Sequence, residues 1–215
     1  PLFHVMACPV MLMGAVASGA HVVFPTPQGY RGEGVFDNIW KLVERYKVTF
    51  LIGVPTAFSA LVQRPVDADM SDLKMAFRGS APLPVELYKR FEKAAGINIC
   101  EAYCLTEATC AVSSNPPDGE KKIGSVGLPL PYTDVKIISI DTHEEVTTGE
   151  AGEICISSHG IYMGQTYTEE AKNNDLYHPG PKSNAQYLRT GDLGRLDEDG
   201  YLWISGRAKD LIIRG

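Results

Sequence analysis

The sequence is short of the features that mark several large protein classes. It has no run of about 20 apolar residues, the length a bilayer-spanning helix needs. The apolar stretch Val10-Met11-Leu12-Met13-Gly14-Ala15-Val16-Ala17 falls well below that and has no Lys or Arg ahead of it, so it predicts a buried helix rather than a span or a secretory leader. Five cysteines, Cys8, Cys100, Cys104, Cys110 and Cys155, are too few and too unevenly spread for a disulfide framework, which favours a reducing compartment, the cytoplasm. Cys100, Cys104 and Cys110 follow no zinc spacing and have no neighbouring His, so they read as buried small side chains. Positive charge is also short: 20 Lys and Arg stand against 26 Asp and Glu. No basic stripe is available to neutralise phosphates along a duplex, which excludes nucleic acid as a partner. The 21 glycines and 14 prolines follow no three-residue period, excluding a collagen-like chain. There is no Gly-x-Ser-x-Gly elbow and no internal repeat. The run Gly149-Glu150-Ala151-Gly152-Glu153 lacks the Lys and Ser/Thr of a phosphate-binding P-loop and reads as a turn entering a strand.

What remains is a chain of 215 residues, 44% hydrophobic and 21% charged, enough for one full core or two smaller ones. Its style changes partway. Up to about Asn115, apolar helices alternate with short β-branched runs, the pattern of parallel strands joined by helical crossovers. Strands are expected at His21 to Phe24, Val48 to Val54, Leu73 to Phe77 and Ile97 to Tyr103. A helix is expected over Val35 to Tyr46, where Val35, Ile39, Leu42, Val43 and Tyr46 keep helical spacing. Another should start at Pro55, in the first-turn position that suits proline, and a third should run from about Pro84 to Ala95 and stop at Gly96. After Pro116-Pro117-Asp118-Gly119 the chain turns mostly to β: Val135 to Ile140, Gly152 to Ser157, Tyr187 to Thr190 and Tyr201 to Ser205. Asp197-Glu198-Asp199-Gly200 marks a hairpin between the last two. Acidity rises as well, from 11 acidic against 10 basic residues before position 119 to 15 against 10 after it. The expected organisation is therefore a parallel-sheet α/β subdomain over 1–118, a mainly β subdomain of distorted-barrel type over 119–206, and a short connection over 207–215.

Three stretches carry candidate chemistry. Tyr103-Cys104-Leu105-Thr106-Glu107 follows a buried strand, and ligands of open α/β sheets sit outside the carboxyl ends of strands. Glu107 suits Mg²⁺, which takes one or two carboxylates together with substrate phosphates. Thr106 offers a hydroxyl to a phosphate oxygen, and Tyr103 a flat face to a base. On these residues alone the plainer reading, a strand end with a solvated carboxylate and a core tyrosine, is the stronger one. Arg78-Gly79-Ser80-Ala81-Pro82-Leu83 also follows a strand; Gly79 and Ala81 would let a ligand approach the backbone, but an ordinary strand-to-helix loop reads equally well. In Thr190-Gly191-Asp192 a carboxylate follows glycine, an arrangement that can accept both hydroxyls of a ribose. Arg207 supplies a planar fork for that carboxylate or for a phosphate. A turn cap and a surface ion pair would account for the same residues.

Individually weak, these signals stand in an order that resembles the adenylate-forming enzymes, the family of acyl-CoA synthetases, aryl-CoA ligases, beetle luciferases and peptide-synthetase adenylation domains. The resemblance runs the length of the chain. Pro1-Leu2-Phe3-His4 is similar to the family segment at the mouth of the acyl pocket, and Gly79-Ser80-Ala81-Pro82-Leu83 to its adenine-contacting loop. Tyr103-Cys104-Leu105-Thr106-Glu107 resembles the Tyr-Gly-x-Thr-Glu motif. Gly152-Glu153-Ile154-Cys155-Ile156 resembles the following strand motif, Thr190-Gly191-Asp192 the ribose-binding motif, and Gly206-Arg207-Ala208-Lys209-Asp210 the junction into a lid domain.

The resemblance implies that Tyr103 stacks on adenine, Thr106 touches phosphate, Glu107 binds Mg²⁺, Asp192 binds ribose, Arg207 contacts ribose or phosphate, and Lys209 is a hinge. His4 and Cys104 would border the acyl pocket. It implies an ATP-dependent ligase that joins a carboxylic acid to AMP, releasing pyrophosphate, and passes the acyl group to coenzyme A. Two departures bear on the acid rather than on the nucleotide: Cys104 stands where the family has Gly, and Gln165-Thr166 where Gly164 would be followed by Tyr and an aromatic residue. The family's phosphate loop, expected ahead of Pro1, and its lid with the catalytic lysine, expected beyond Gly215, are not in the sequence, so the chain reads as a central piece that is itself inactive. The apolar run of Phe50, Leu51, Val54, Phe58, Ala76 and Phe77 leans toward a fatty or aromatic acid, although core packing explains most of it. A non-catalytic AMP-binding module, an adenylating enzyme with a carrier protein or oxygen as acceptor, homodimerisation and peripheral membrane attachment stay open.

Overall fold

Helices in the first half form where apolar side chains recur with the helical period. Helix α2 (Val35–Arg45) buries Val35, Ile39, Trp40 and Val43 on one face. Helix α3 (Pro55–Leu61) starts on Pro55 and buries Ala57, Phe58 and Leu61. Helix α4 (Val85–Ala95) buries Tyr88, Phe91 and Ala95 and ends at Gly96, whose φ of 71° is the left-handed value a helix terminator needs. A computed structural model describes residues 4–79, 84–161, 166–179 and 186–210 of the chain. By contacts these fall into two compact units, one of Pro1–Ala102 with Pro117–Gly124 and one of Tyr103–Pro116 with Ser125–Gly215. The change of style expected near Asp118 lies in the segment that returns to the first unit, and the second unit takes in Tyr103–Pro116 as well.

In the first unit, strands β1 (Phe50–Gly53), β2 (Met75–Arg78) and the start of β3 (Ile99–Leu105) pair side by side and parallel. Helical crossovers between successive strands produce this order. The helices and strands share one core, in which Phe58 and Phe91 meet edge to face with ring centroids 4.9 Å apart. Phe58 and Ala76 are fully buried and Leu51 nearly so, so these three serve packing. At the edge of that core the Arg78 guanidinium lies against the Glu101 carboxylate, with both side chains almost completely buried. Arg78 Nε donates to Glu101 Oε1 at 3.1 Å, and the Gly124 N–H donates to Oε2 at 2.9 Å. Glu101 therefore ties β2, β3 and the returning segment together.

In the second unit the end of β3 leads through a turn to β4 (Cys110–Ser114), which pairs antiparallel with β5 (Leu128–Pro129). A second sheet is antiparallel, in the order β10 (Leu202–Arg207), β9 (Gln186–Leu196), β7 (Gly152–Ser158), β6 (Thr133–Ile138), with β8 (Tyr177–Pro179) also on β9. The Asp197 to Gly200 hairpin joins β9 to β10. Alternating apolar residues of these strands build the unit's core around Ile154, Ile156, Leu188 and Leu202. At Gly127, φ is +83° and a Cβ would fall 1.9 Å from the Ser114 carbonyl carbon, so no other residue fits there without moving β4.

Two expectations are corrected. His21 to Phe24 is not a strand. A β-branched run becomes one only when a neighbour takes its backbone groups, and no described strand pairs with it. The Val10 to Ala17 stretch is helical but not buried. It forms the end of a π-helix over Met6–Met13, whose interior Pro9 cannot donate to a regular ladder, followed by α1 (Gly14–Ser18). Val16 is 83% exposed and Met13 63%, and the first unit's core draws none of its members from this run. Among the described residues no helix is long and apolar enough to cross a membrane.

Candidate active site

The second unit gathers Tyr103, Thr106, Glu107, Asp192 and Arg207. Strand β3 ends at Leu105, and one 3-10 turn, Thr106–Ala108, lifts Thr106 and Glu107 off the strand's carboxyl end. Thr109 and Cys110 then take positive φ values of 52° and 94°, a conformation that costs a non-glycine residue about 1–3 kcal/mol and that clusters at functional sites. The Thr109 hydroxyl offsets part of this by donating to the Gly160 carbonyl. Thr106, Glu107, Thr109, Gly160, Thr166 and Tyr167 line an open cleft of about 270 Å³.

Asp192 owes its position to an irregularity between β7 and β9. Glu153 pairs with Leu193 and Cys155 with Arg189, so Ile154 alone faces Thr190, Gly191 and Asp192. Such a bulge bends the strand and re-aims its side chains. Gly191 supplies the left-handed φ of 71°, Thr190 Oγ1 donates to the Ile154 carbonyl at 2.8 Å, and the Asp192 N–H donates back to Thr190 Oγ1 at 3.1 Å. Glu153 locks the bulge from the other side. Its Oε2 accepts from Arg189 Nε and Nη2 at 2.9 and 2.7 Å, and its Oε1 accepts from the Gly191 N–H at 3.2 Å.

Asp192 is only 8% exposed, and its carboxylate is held at both oxygens. The Tyr103 hydroxyl donates to Oδ2 at 2.5 Å and Arg207 Nε to Oδ1 at 2.8 Å. A carboxylate has about four acceptor directions, so each oxygen keeps one for a ligand hydroxyl. Burial, with the Asp192 charge behind it, pushes the Tyr103 phenol well above its ordinary value, so it stays a donor. Asp192 likewise raises the Arg207 guanidinium. Tyr103 is itself 7% exposed and belongs to the second unit's core cluster.

At Glu107, Oε1 accepts from the Tyr167 hydroxyl. Oε2 and the Thr106 hydroxyl have no partner among the described residues. One carboxylate oxygen beside a hydroxyl in an open cleft fits the donor set of Mg²⁺, which needs one or two carboxylates and completes its shell with phosphates and water. No group of three His, Cys, Asp or Glu converges among the described residues, so an all-protein cage of the kind that holds zinc is not offered there.

Other expected positions are placed apart from this cluster or lie outside the description. Gly79 is buried at the end of β2 in the first unit, while Ser80, Ala81 and Pro82 lie outside the described residues, as do Gly164 and Gln165. His4 is exposed in the first unit and accepts the Met6 N–H on Nδ1 at 3.1 Å. Cys104 is half-buried and its thiol engages that of buried Cys110, which pushes the Cys110 thiol up. Lys209 sits exposed in a 3-10 turn, Ala208–Asp210, directly after β10. Sequence reasoning missed Tyr167 as a partner of Glu107 and the Glu153–Arg189 pair as the support of Asp192. The opposite charges of Glu153 and Arg189 in two β-type runs were a usable signal; nothing in the sequence pointed to Tyr167.

The fold defines a protein with a parallel-sheet α/β unit and a mainly antiparallel β unit, and comparison with known proteins identifies its class. Residues 1–166 match the family model described as AMP-binding enzyme. The chain belongs to the AMP-binding enzyme family, the adenylate-forming enzymes. It is 37% identical over 220 residues to the marinolic acid–CoA ligase of Pseudoalteromonas sp. (strain SANK 73390), covering 100% of this chain and 33% of that protein. Among solved structures it is similar to ATP-bound MatB from Rhodopseudomonas palustris, with a TM-score of 0.85, 29% identity and coverage of 99% of this chain and 40% of that one. It is also similar to the O-succinylbenzoate coenzyme A synthetase of Bacillus subtilis in complex with ATP and magnesium ion, with a TM-score of 0.82, 26% identity and coverage of 100% and 42%. The chain thus spans about a third of the length of the curated relative it matches.

Proposed function

We propose that this chain is the nucleotide- and acyl-site portion of an ATP-dependent acid–thiol ligase, which activates a carboxylic acid as acyl-AMP and transfers the acyl group to coenzyme A. The observation that carries the reading is the Asp192 carboxylate, buried yet held open between Tyr103 and Arg207 by a purpose-built bulge. A negative, pre-oriented acceptor pair suits the two hydroxyls of a ribose, and the Arg207 fork beside it suits phosphate. Thr106 and Glu107 face the cleft where phosphates would sit. Glu107 would hold Mg²⁺, which when bound neutralises charge developing on phosphate oxygens. Tyr103 contributes by fixing Asp192 as well as by its ring. Lys209, just past Arg207, would act as a hinge.

The acid is proposed to be fatty or aromatic. Support comes from partly exposed apolar side chains at β1 and just beyond it, Phe50 at 40% and Val54 at 44%. Cys104 stands where a glycine is usual and would narrow the acyl site. The isolated 215-residue chain is expected to turn over negligibly, because removing even one transition-state donor costs about 10²–10³ in rate. Pyrophosphate exchange by the natural full-length protein across a panel of acids tests the reading: apolar acids should support exchange, and activity with short polar acids alone would contradict the acid assignment.

A further inference from the structure

Glu107 is the only carboxylate among the described residues lining the cleft, and its orientation is not left to itself. The Tyr167 hydroxyl donates to Oε1 across a sequence separation of 60 residues. Tyr167 is in turn fixed at its backbone. Its N–H donates to Asn173 Oδ1 at 2.9 Å, and Asn173 Nδ2 donates back to the Tyr167 carbonyl at 2.7 Å and, at 3.4 Å, to that of Glu169. Two opposed bonds from one side-chain amide to one residue's main chain hold that residue's peptide groups in a single orientation, and with it the direction in which its Cβ points. Immediately beside it the Thr166 hydroxyl is hydrogen-bonded to that of Tyr177 on β8. The segment is pinned at both ends, and what it presents to the cleft is one phenol, aimed at one oxygen.

A carboxylate that must serve a hard cation has two freedoms to lose: rotation of its plane, and switching between one-oxygen and two-oxygen contact. A donor on Oε1 restrains both and leaves Oε2, which has no partner among the described residues, available to a cation. The donor is also neutral. A Lys or Arg in that place would fix the carboxylate equally well but would cancel the charge a cation needs. Partners that hydrogen-bond a metal-ligating carboxylate are worth about ten- to hundredfold in metal affinity.

We propose that Tyr167, clamped by Asn173, is a positioning residue for the divalent cation at Glu107. The inference rests on the assignment of Mg²⁺ to Glu107 made above. It is tested on the natural full-length protein saturated with a non-hydrolysable ATP analogue, with Mn²⁺ in place of Mg²⁺ and the free Mn²⁺ paramagnetic resonance signal as the readout. Tyr167→Phe is expected to weaken Mn²⁺ binding by about ten- to hundredfold while leaving AMP affinity in metal-free buffer unchanged. Asn173→Ala, which keeps the hydroxyl and removes only the clamp, is expected to weaken Mn²⁺ in the same direction by less. Mn²⁺ binding as tight as or tighter than wild type in Tyr167→Phe, with Glu107→Gln impaired, overturns the positioning role and leaves Glu107 as the ligand. Unchanged Mn²⁺ binding in Glu107→Gln overturns the metal assignment and the positioning role together. An equal loss of metal-free AMP binding in Tyr167→Phe reassigns the residue to general structure and also overturns the proposal.

Discussion

At the residue scale the most informative groups are tyrosines whose hydroxyls face carboxylates. Tyr187 donates to Asp134 at 2.5 Å, and burial, reinforced by that carboxylate, pushes its phenol up to about 12. Burial does the same for Tyr88, again to about 12. The Glu107 partner raises Tyr167 to about 12. An unfolded phenol ionises near 10, so between these values the folded state keeps protons that the unfolded state gives up. Stability from these groups is therefore intact below about pH 10 and is lost as pH rises toward 12. A phenolate absorbance titration should show part of the 10 tyrosines ionising near 10 and the rest only as the fold is lost. All of them titrating together near 10 would contradict the geometry. Asp192→Asn keeps the shape but takes away the charge that faces Arg207 and, in the proposed function, a ribose. It is expected to weaken AMP binding by the equivalent of about 1.5–3 kcal/mol, the worth of a hydrogen bond to a charged group, read by calorimetry on the full-length protein.

At the element scale, what the sequence disclosed and what it hid follow one rule: local signals were legible and pairings were not. Helices α2 and α4 were legible because their buried positions recur with the helical period and Gly96 marks an end. The β9–β10 hairpin was legible because Asp199-Gly200 is a turn signal. Thr106 and Glu107 were legible as residues after a strand, and Asp192 as a carboxylate following glycine, although it lies within β9 and not beyond it. His21 to Phe24 misled because a strand needs a neighbour, and Tyr167 stayed hidden because only the tertiary path of the 166–179 segment brings it to Glu107. The Arg78–Glu101 pair belongs to this scale, since it fastens β2 to β3 and to the Gly124 backbone. Arg78→Met takes the guanidinium away from the buried Glu101 carboxylate and is expected to cost about 3–5 kcal/mol. Urea unfolding should show the midpoint falling with little change in slope. An unchanged midpoint would contradict this fastening role of the Arg78–Glu101 pair.

At the scale of the whole molecule, each unit has its own core, and the residues that resemble the family's motifs lie in both. Tyr103, Thr106, Glu107, Asp192 and Arg207 belong to the second unit, Gly79 and His4 to the first. The ligase reading therefore requires both units, together with the greater length found in the relatives. Its central claim is that Glu107 and Asp192 serve adenylation of a carboxylic acid. The most direct measurement is acid-dependent exchange of labelled pyrophosphate into ATP by the natural full-length protein, compared with Glu107→Gln and Asp192→Asn. Exchange that depends on the acid and falls about a hundredfold or more in Glu107→Gln, in line with loss of a transition-state contact, is the predicted result. Exchange at the wild-type rate in both variants, or none with any acid while AMP still binds, would contradict the account.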